Sequence, residues 1–310
     1  MNNKITSQRL KTFFVYDFIK MVAITAIVLL CVIIIFNYVG RRPTEAQTFS
    51  VLVDNVEVVT GDEQEAFYTK VSYGSEDKKR IGLSHNVLSG NVTAITPSSE
   101  NPMQTLMQTY ISLKDDDVLI AGKTIATYYL GRNAAMEIDY FLTLLNNFLY
   151  VDNGFYKSEL DSPNDIDVDA VKNYFLKTYK KDARFISASQ KEKGIEQEIE
   201  RIKGYKTNSD LFKKLLKVCP EIIASEPELT SYTLGGVTFN GKYALNLGAL
   251  GEGFINVYKT KQVENGEEKL TTQGVYLLLG KREITENDNI FETLSFILTL
   301  AKDYSNVLEG

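Results

Sequence analysis

Tryptophan is absent from the 310 residues, histidine occurs once, cysteine twice and proline six times. With His85 alone, a proton relay through histidine has a single candidate base, and a multi-histidine metal site has too few ligands. His85 falls in 81–88, which reads as a strand, so it is expected to be structural or surface-exposed. Cys31 lies inside an apolar run and Cys219 far beyond it. The two are therefore expected on opposite sides of an apolar boundary and unable to pair within the chain. The part beyond the run must be held by its core rather than by disulfides. No Pro-rich or Gly/Ser-rich linker, repeat or low-complexity tract divides the sequence, and Tyr and Phe are spread through it.

Charge is missing from residues 21–39, MVAITAIVLLCVIIIFNYV. At a helical rise of about 1.5 Å per residue this run approaches the thickness of a bilayer's hydrocarbon core and predicts a single membrane-spanning helix. Lys4, Arg9, Lys11 and Lys20 precede it against Asp17 alone, which predicts a cytoplasmic N-terminus and an outer location from about residue 43 onward. Phe13, Phe14, Tyr16 and Phe18 on one side, with Phe36 and Tyr38 on the other, suit the two membrane interfaces. A cleaved secretory signal needs a shorter core and an Ala-x-Ala site. The adjoining RRPTEAQ offers no such site, so an uncleaved anchor is expected. Cys31, flanked by Leu29-Leu30 and Val32-Ile33, reads as an apolar packing residue.

Of 34 basic and 40 acidic side chains, six and one lie within residues 1–42, which leaves 28 against 39 and a net charge of −11 for the remainder. An acidic part of that kind has no electrostatic footprint for nucleic acid, and a nucleic-acid partner is not expected.

Beyond the anchor, strand and helix patterns alternate. Strands are predicted over 49–53, 80–88 and 92–96. Helices are predicted over 63–71 and from Pro102 onward, the latter carrying Met103, Leu106, Met107 and Tyr110. Asp115, Asp116 and Asp117 read as a solvated turn into Val118-Leu119-Ile120-Ala121, a short apolar strand of the doubly covered type. The middle is predicted helical over 134–151, 168–180, 191–203 and 209–218, where Pro220 stops the last helix. Strands return over 237–239, 243–246, 254–261 and 274–279, with Asn265-Gly266 as a hairpin signal between the last two. A helix over 287–304 comes last. The order β, α, β is that of an α/β sheet.

An anchor headed by YDFIK, the strand SVLVD, the helix NPMQTLMQTYISLKDDD feeding DVLIAGK, the helical middle and the late segment YLLLGKREITENDNIFETLSFIL together resemble membrane-anchored extracytoplasmic proteins of Gram-positive bacteria with a periplasmic-binding-protein-like domain. The resemblance covers most of the outer part and rests on pattern and order. It implies a two-lobed α/β fold behind the single anchor. The parts are then a cytoplasmic segment (1–20), a spanning helix (21–39), a linker (40–47) and an extracytoplasmic domain (48–310). In that domain lobe 1 takes about 48–125 and 225–310, and lobe 2 about 126–224. It further implies a solute-binding-like module that captures a small ligand or serves a transporter as an accessory subunit. The alternative is a non-catalytic envelope interaction protein with a degenerate cleft, in contact with a membrane or wall protein.

Other sites are weighed on residues. Asp165, Asp167 and Asp169 have the first spacings of a calcium loop, but Ala170 stands where its glycine belongs and Leu176 where its bidentate Glu belongs. Acids at a helix N-terminus explain them equally, and no metal is expected. The glycines of 248–253, GALGEG, lie between strands and lack a Gly-Lys-Ser/Thr ending, so they read as a turn. No catalytic constellation and no cofactor motif emerges, and an enzyme is not expected. If the strand 118–121 ends at a cleft between lobes, Tyr128, Tyr129 and Arg132 are the residues expected to line it. The bland account of the tyrosines is half-burial at a lobe interface.

Overall fold

The computed structural model describes residues 6–12, 18–39, 48–61, 63, 89–96, 103–113, 116–264, 267–281 and 290–308. His85, Asp115, the helix expected over 63–71 and the strand over 80–88 lie outside these residues or almost wholly so. The chain divides into two compact units, Met1–Thr44 and Glu45–Gly310.

The first unit holds α1 (Ser7–Thr12) and α2 (Phe18–Val39), a 22-residue helix whose sequence carries one charge, Lys20. Its described side chains are exposed on every face, Ile24, Ile27, Val28, Leu29, Leu30 and Ile33 among them. Counted over the described residues alone, no helix is long and apolar enough to cross a membrane.

The second unit is mixed α/β. In chain order its elements are β1 (Thr48–Asp54), β2 (Val58–Thr60), β3 (Ser89–Ile95), α3 (Met103–Leu113), β4 (Val118–Ala121), α4 (Lys123–Gly131), β5 (Ala135–Met136), α5 (Ile138–Asn146), α6 (Val168–Thr178), α7 (Ala188–Val218), α8 (Pro227–Thr230), β6 (Ser231–Leu234), β7 (Val237–Asn240), β8 (Ala244–Asn246), β9 (Tyr258–Glu264), β10 (Glu267–Thr271), β11 (Tyr276–Gly280) and α9 (Ile290–Asp303). The main sheet runs β3-β1-β4-β11-β5, with β8 also on β11. β3, β1 and β4 are parallel, and β11 returns from late in the chain to lie antiparallel against β4, pairing Tyr276 with Ala121 and Leu279 with Val118. A three-stranded sheet β10-β9-β2 and the hairpin β6-β7 complete the strands.

Both faces of the sheet are covered, so its strands are apolar on both sides of the pleat. Leu52, Leu119 and Leu278 face one core with Met107 of α3 and Ile125, Ala126, Tyr129 and Leu130 of α4. Val51, Val53, Val118, Ile120, Leu277 and Leu279 face the other, with Phe141 of α5, Val171 of α6, Phe212 and Leu215 of α7, and Phe296 of α9. α5, α6 and α7 share one apolar cluster with β1, β4 and β11.

α9 is buried from Ile290 to Ala301 on all sides, polar Glu292, Thr293 and Ser295 included. It lies between sheet and helix, for its Phe296 ring is 5.6 Å from Phe49 of β1 while Phe291 stacks on Tyr205 of α7 at 5.4 Å. Where α7 meets it, Arg201 donates to Glu198 at 3.0 Å and lies over the Phe291 ring at 5.4 Å. Burial works against the Arg201 charge, and Glu198 and then Glu292 outweigh it, holding the guanidinium above its ordinary pKa. This cluster joins the two helices. α7 is one 31-residue helix, opened by a capping box at Ser187 and Gln190, where the sequence suggested two helices. Gly204 does not break it because Tyr205 and Lys206 beside it are buried.

Candidate functional site

In an open sheet with parallel strands, a crevice forms at the carboxyl edge where neighbouring strands send their connections opposite ways. β1 and β4 are such a pair, since the next strand after β1 in the sheet is its outer neighbour β3, whereas β4 leads through α4 toward the β11 side. The residues at their ends are Asp54, Asn55 and Glu57 after β1, and Gly122, Lys123 and Thr124 opening α4.

Asp54 is fully buried. Its Oδ1 accepts the Val56 N–H at 2.9 Å and its Oδ2 the Gly122 N–H at 3.3 Å, while Glu57 Oε2 accepts the Thr124 N–H at 3.0 Å. Gly122, the N-cap residue of α4, has no side chain to accept these donors, so two carboxylates from the β1 loop do so instead. They meet the positive end of the helix dipole as an anionic ligand would. A Cβ on Gly122 would stand 2.1 Å from Glu57 Oε2, so the close approach requires glycine. Asn55 ties in the third strand, its N–H donating to Ile95 O at 3.2 Å and its Nδ2 to Thr96 Oγ1 at 3.2 Å. Burial, and secondarily Glu57, push the Asp54 carboxyl above the usual carboxylate range against its N–H bonds. Lys123 turns outward to Glu228 at 3.3 Å.

Tyr128, Tyr129 and Arg132 are not at this edge. α4 carries them toward the amino end of β4, where the Tyr129 hydroxyl donates to Asp116 Oδ2. A nine-residue helix intervenes between Ala121 and Arg132, and it runs back along the sheet. Tyr128 and Arg132 come together, the guanidinium 5.2 Å from the ring centroid, and the Tyr128 hydroxyl is buried without a hydrogen-bond partner among the described residues. Tyr129 is separated from them in the core beneath. Asp116 and Asp117 do not form a solvated turn. Both are buried, and Asp117 Oδ2 accepts the Ser50 N–H at 2.7 Å, pinning the start of β4 to β1.

The remaining motifs are local. Asp167 caps α6 by accepting the Ala170 N–H at 3.0 Å and Asp169 lies in its first turn, while Asp165 closes the preceding turn by accepting from Ser162 N at 2.8 Å. Gly248 lies in the 3₁₀ turn Leu247–Leu250 and Gly253 in the turn Glu252–Asn256, with Gly251 between them at φ 93°. Among the described residues no group of three or more His, Cys, Asp or Glu side chains could hold a metal ion. Sequence reasoning missed Asp54, Glu57 and Gly122 as a unit. The available signals were an acid closing the apolar strand SVLVD and a glycine directly after VLIA. No protein-family model and no curated protein matches the chain.

Proposed function

We propose that the chain is a single-pass membrane protein, N-terminus in the cytoplasm, whose α/β unit outside is a non-catalytic envelope interaction module on a periplasmic-binding-protein-like frame. α2, 22 residues and thus about 33 Å long, is apolar around its whole circumference, the pattern of a helix meant for lipid. The late return of β11 into the middle of the sheet supports the frame, in which the chain leaves the first strands and comes back near its end.

The observation that carries the interaction reading is the closed carboxyl edge. Asp54 and Glu57 occupy the hydrogen-bond donors and the helix terminus that a small ligand would use, and the helical middle packs onto the sheet. Contact then falls to the outer surface. A solute-binding-like reading is favoured by one feature, the position of Asp54 and Glu57 at the point where strand connections diverge, and it requires these carboxylates to release α4.

Thermal-shift screening of the full chain in lipid against metabolite pools decides between the two, because a ligand bound only by the folded state raises the melting temperature. No shift is expected, and a reproducible rise moves the reading to solute capture. External protease on intact cells is expected to digest the α/β unit. Protection of that unit refutes the topology.

A further inference from the structure

Residues 231–240, SYTLGGVTFN, carry no charged side chain, in contrast to the acidic remainder of the unit. They form the ribbon β6-β7, turned by Gly235 and Gly236 at φ 57° and 81°, the left-handed pair that a two-residue hairpin loop requires. Cross-strand pairs share a face, and the register sets Tyr232 opposite Phe239 and Leu234 opposite Val237 on one face, with Thr233 opposite Thr238 on the other. The ribbon is therefore amphipathic. Its Thr hydroxyls bond each other at 3.1 Å.

Among the described residues, the contacts to the apolar face lie at its base. Tyr232 donates its hydroxyl to Asn133 Oδ1 at 2.7 Å and packs edge-on to Tyr243 at 5.5 Å, while its other neighbour, Phe239, stacks on it at 5.1 Å. Beyond that base Leu234, Val237 and Phe239 are 47%, 56% and 41% exposed. Charged groups lie at the foot of the ribbon, where Lys242 pairs with Asp139 at 3.1 Å, Lys281 donates to the same Asn133 Oδ1 as Tyr232 at 2.8 Å, and Glu137 stands beside Gly241.

We infer that this ribbon inserts its apolar end into the lipid bilayer that anchors the chain. The inference rests on the membrane reading of α2. A tether holds the unit at a high effective concentration of lipid, so a small apolar surface suffices for contact. Ten successive uncharged residues can enter the headgroup boundary without desolvating an ion. Tyr232, aromatic with one polar end bonded to the protein, and the stacked Phe239 match the side chains that favour the interface.

The chain contains no tryptophan, so Phe239→Trp introduces a unique indole that keeps the aromatic stack. The full-length variant is reconstituted in phosphatidylcholine vesicles with brominated acyl chains. A blue-shifted emission, quenched several-fold more strongly than that of Leu270→Trp on exposed β10, is expected, and Val237→Asp added to Phe239→Trp should remove the quenching. Val237→Trp provides a second indole if the first variant does not fold. An emission at the water value, equal quenching at 270, or a blue shift without quenching overturns the inference, the last because it indicates a protein surface or a second copy over the ribbon. Flotation of the chain with the vesicles tests the anchor separately. If flotation fails, titration of the same variant with those vesicles still decides whether the ribbon meets lipid.

Discussion

Gly194 and Gly204 lie in the interior of the same helix, α7, and replacing each with alanine should shift stability in opposite directions. In a helix interior the change is ordinarily stabilising by roughly 1 kcal/mol, because glycine loses more backbone freedom on folding. At Gly204 the new Cβ would stand 3.6 Å and 3.8 Å from the Phe291 ring, ordinary van der Waals contact. The whole gain is then expected, a rise in Tm of about 2 °C to 4 °C. At Gly194 the same Cβ would stand 2.4 Å from Cζ of Phe175 and 2.8 Å from Cε1 of Phe185. These rings pack on each other at 4.9 Å, and Tyr179 lies 4.8 Å from Phe175, so the buried ring has no empty rotamer to take. Overpacking of this kind costs about 1–3 kcal/mol, which exceeds the helix gain and leaves Gly194→Ala about 1 kcal/mol less stable than the parent. Thermal and urea unfolding of both full-length variants, followed by circular dichroism, reads the difference. An equal rise in both would refute the close packing of Phe175 and Phe185 on α7.

Two further outcomes concern the sheet edges. Tyr129→Phe should lower stability by about 1–3 kcal/mol, since it withdraws a hydrogen-bond donor from the buried Asp116 carboxyl; an unchanged urea midpoint would show that the contact carries no weight. Asp54 has a folded-state pKa above its unfolded one, so its protonated form favours the fold. That contribution is present in full below the unfolded value near 4 and is lost as pH rises through the raised folded value. The stability of the parent relative to Asp54→Asn should therefore grow as pH falls through this window, and a difference independent of pH would contradict the assignment.

Elements whose pattern matched their burial were legible in the sequence. The strand 118–121 and the start of α6 at Val168 fall where an unbroken apolar run and an acidic cap place them. The helix expected over 134–151 is instead a short strand Ala135–Met136, then α5, then a π-helical stretch Asn147–Asp152, because Ala135 and Met136 are recruited by β11, a partner some 140 residues distant. α4 was unseen. Lys123-Thr124 open it without a local cap, and the carboxylates that satisfy its N-terminus come from the β1 loop, where no short-range pattern records them. Burial misled in the opposite sense at Asp116 and Asp117, whose partners Tyr129 and Ser50 lie elsewhere in the chain. The candidate edge was hidden for the same reason: Asp54 and Gly122 are 68 residues apart.

The position of β11 and α9 governs the order in which the α/β unit can mature. The strand beside β4 and the helix at the centre of the larger core are the last described elements to be synthesised. Until residues 276–303 emerge, β4 offers an unpaired edge, and Phe49 and Tyr205 lack the Phe296 and Phe291 rings that pack on them. Earlier helices can form locally, but the sheet cannot close around them, so folding waits on contacts of high sequence separation. For much of its synthesis the unit is an incomplete apolar surface of the kind that chaperones and proteases recognise.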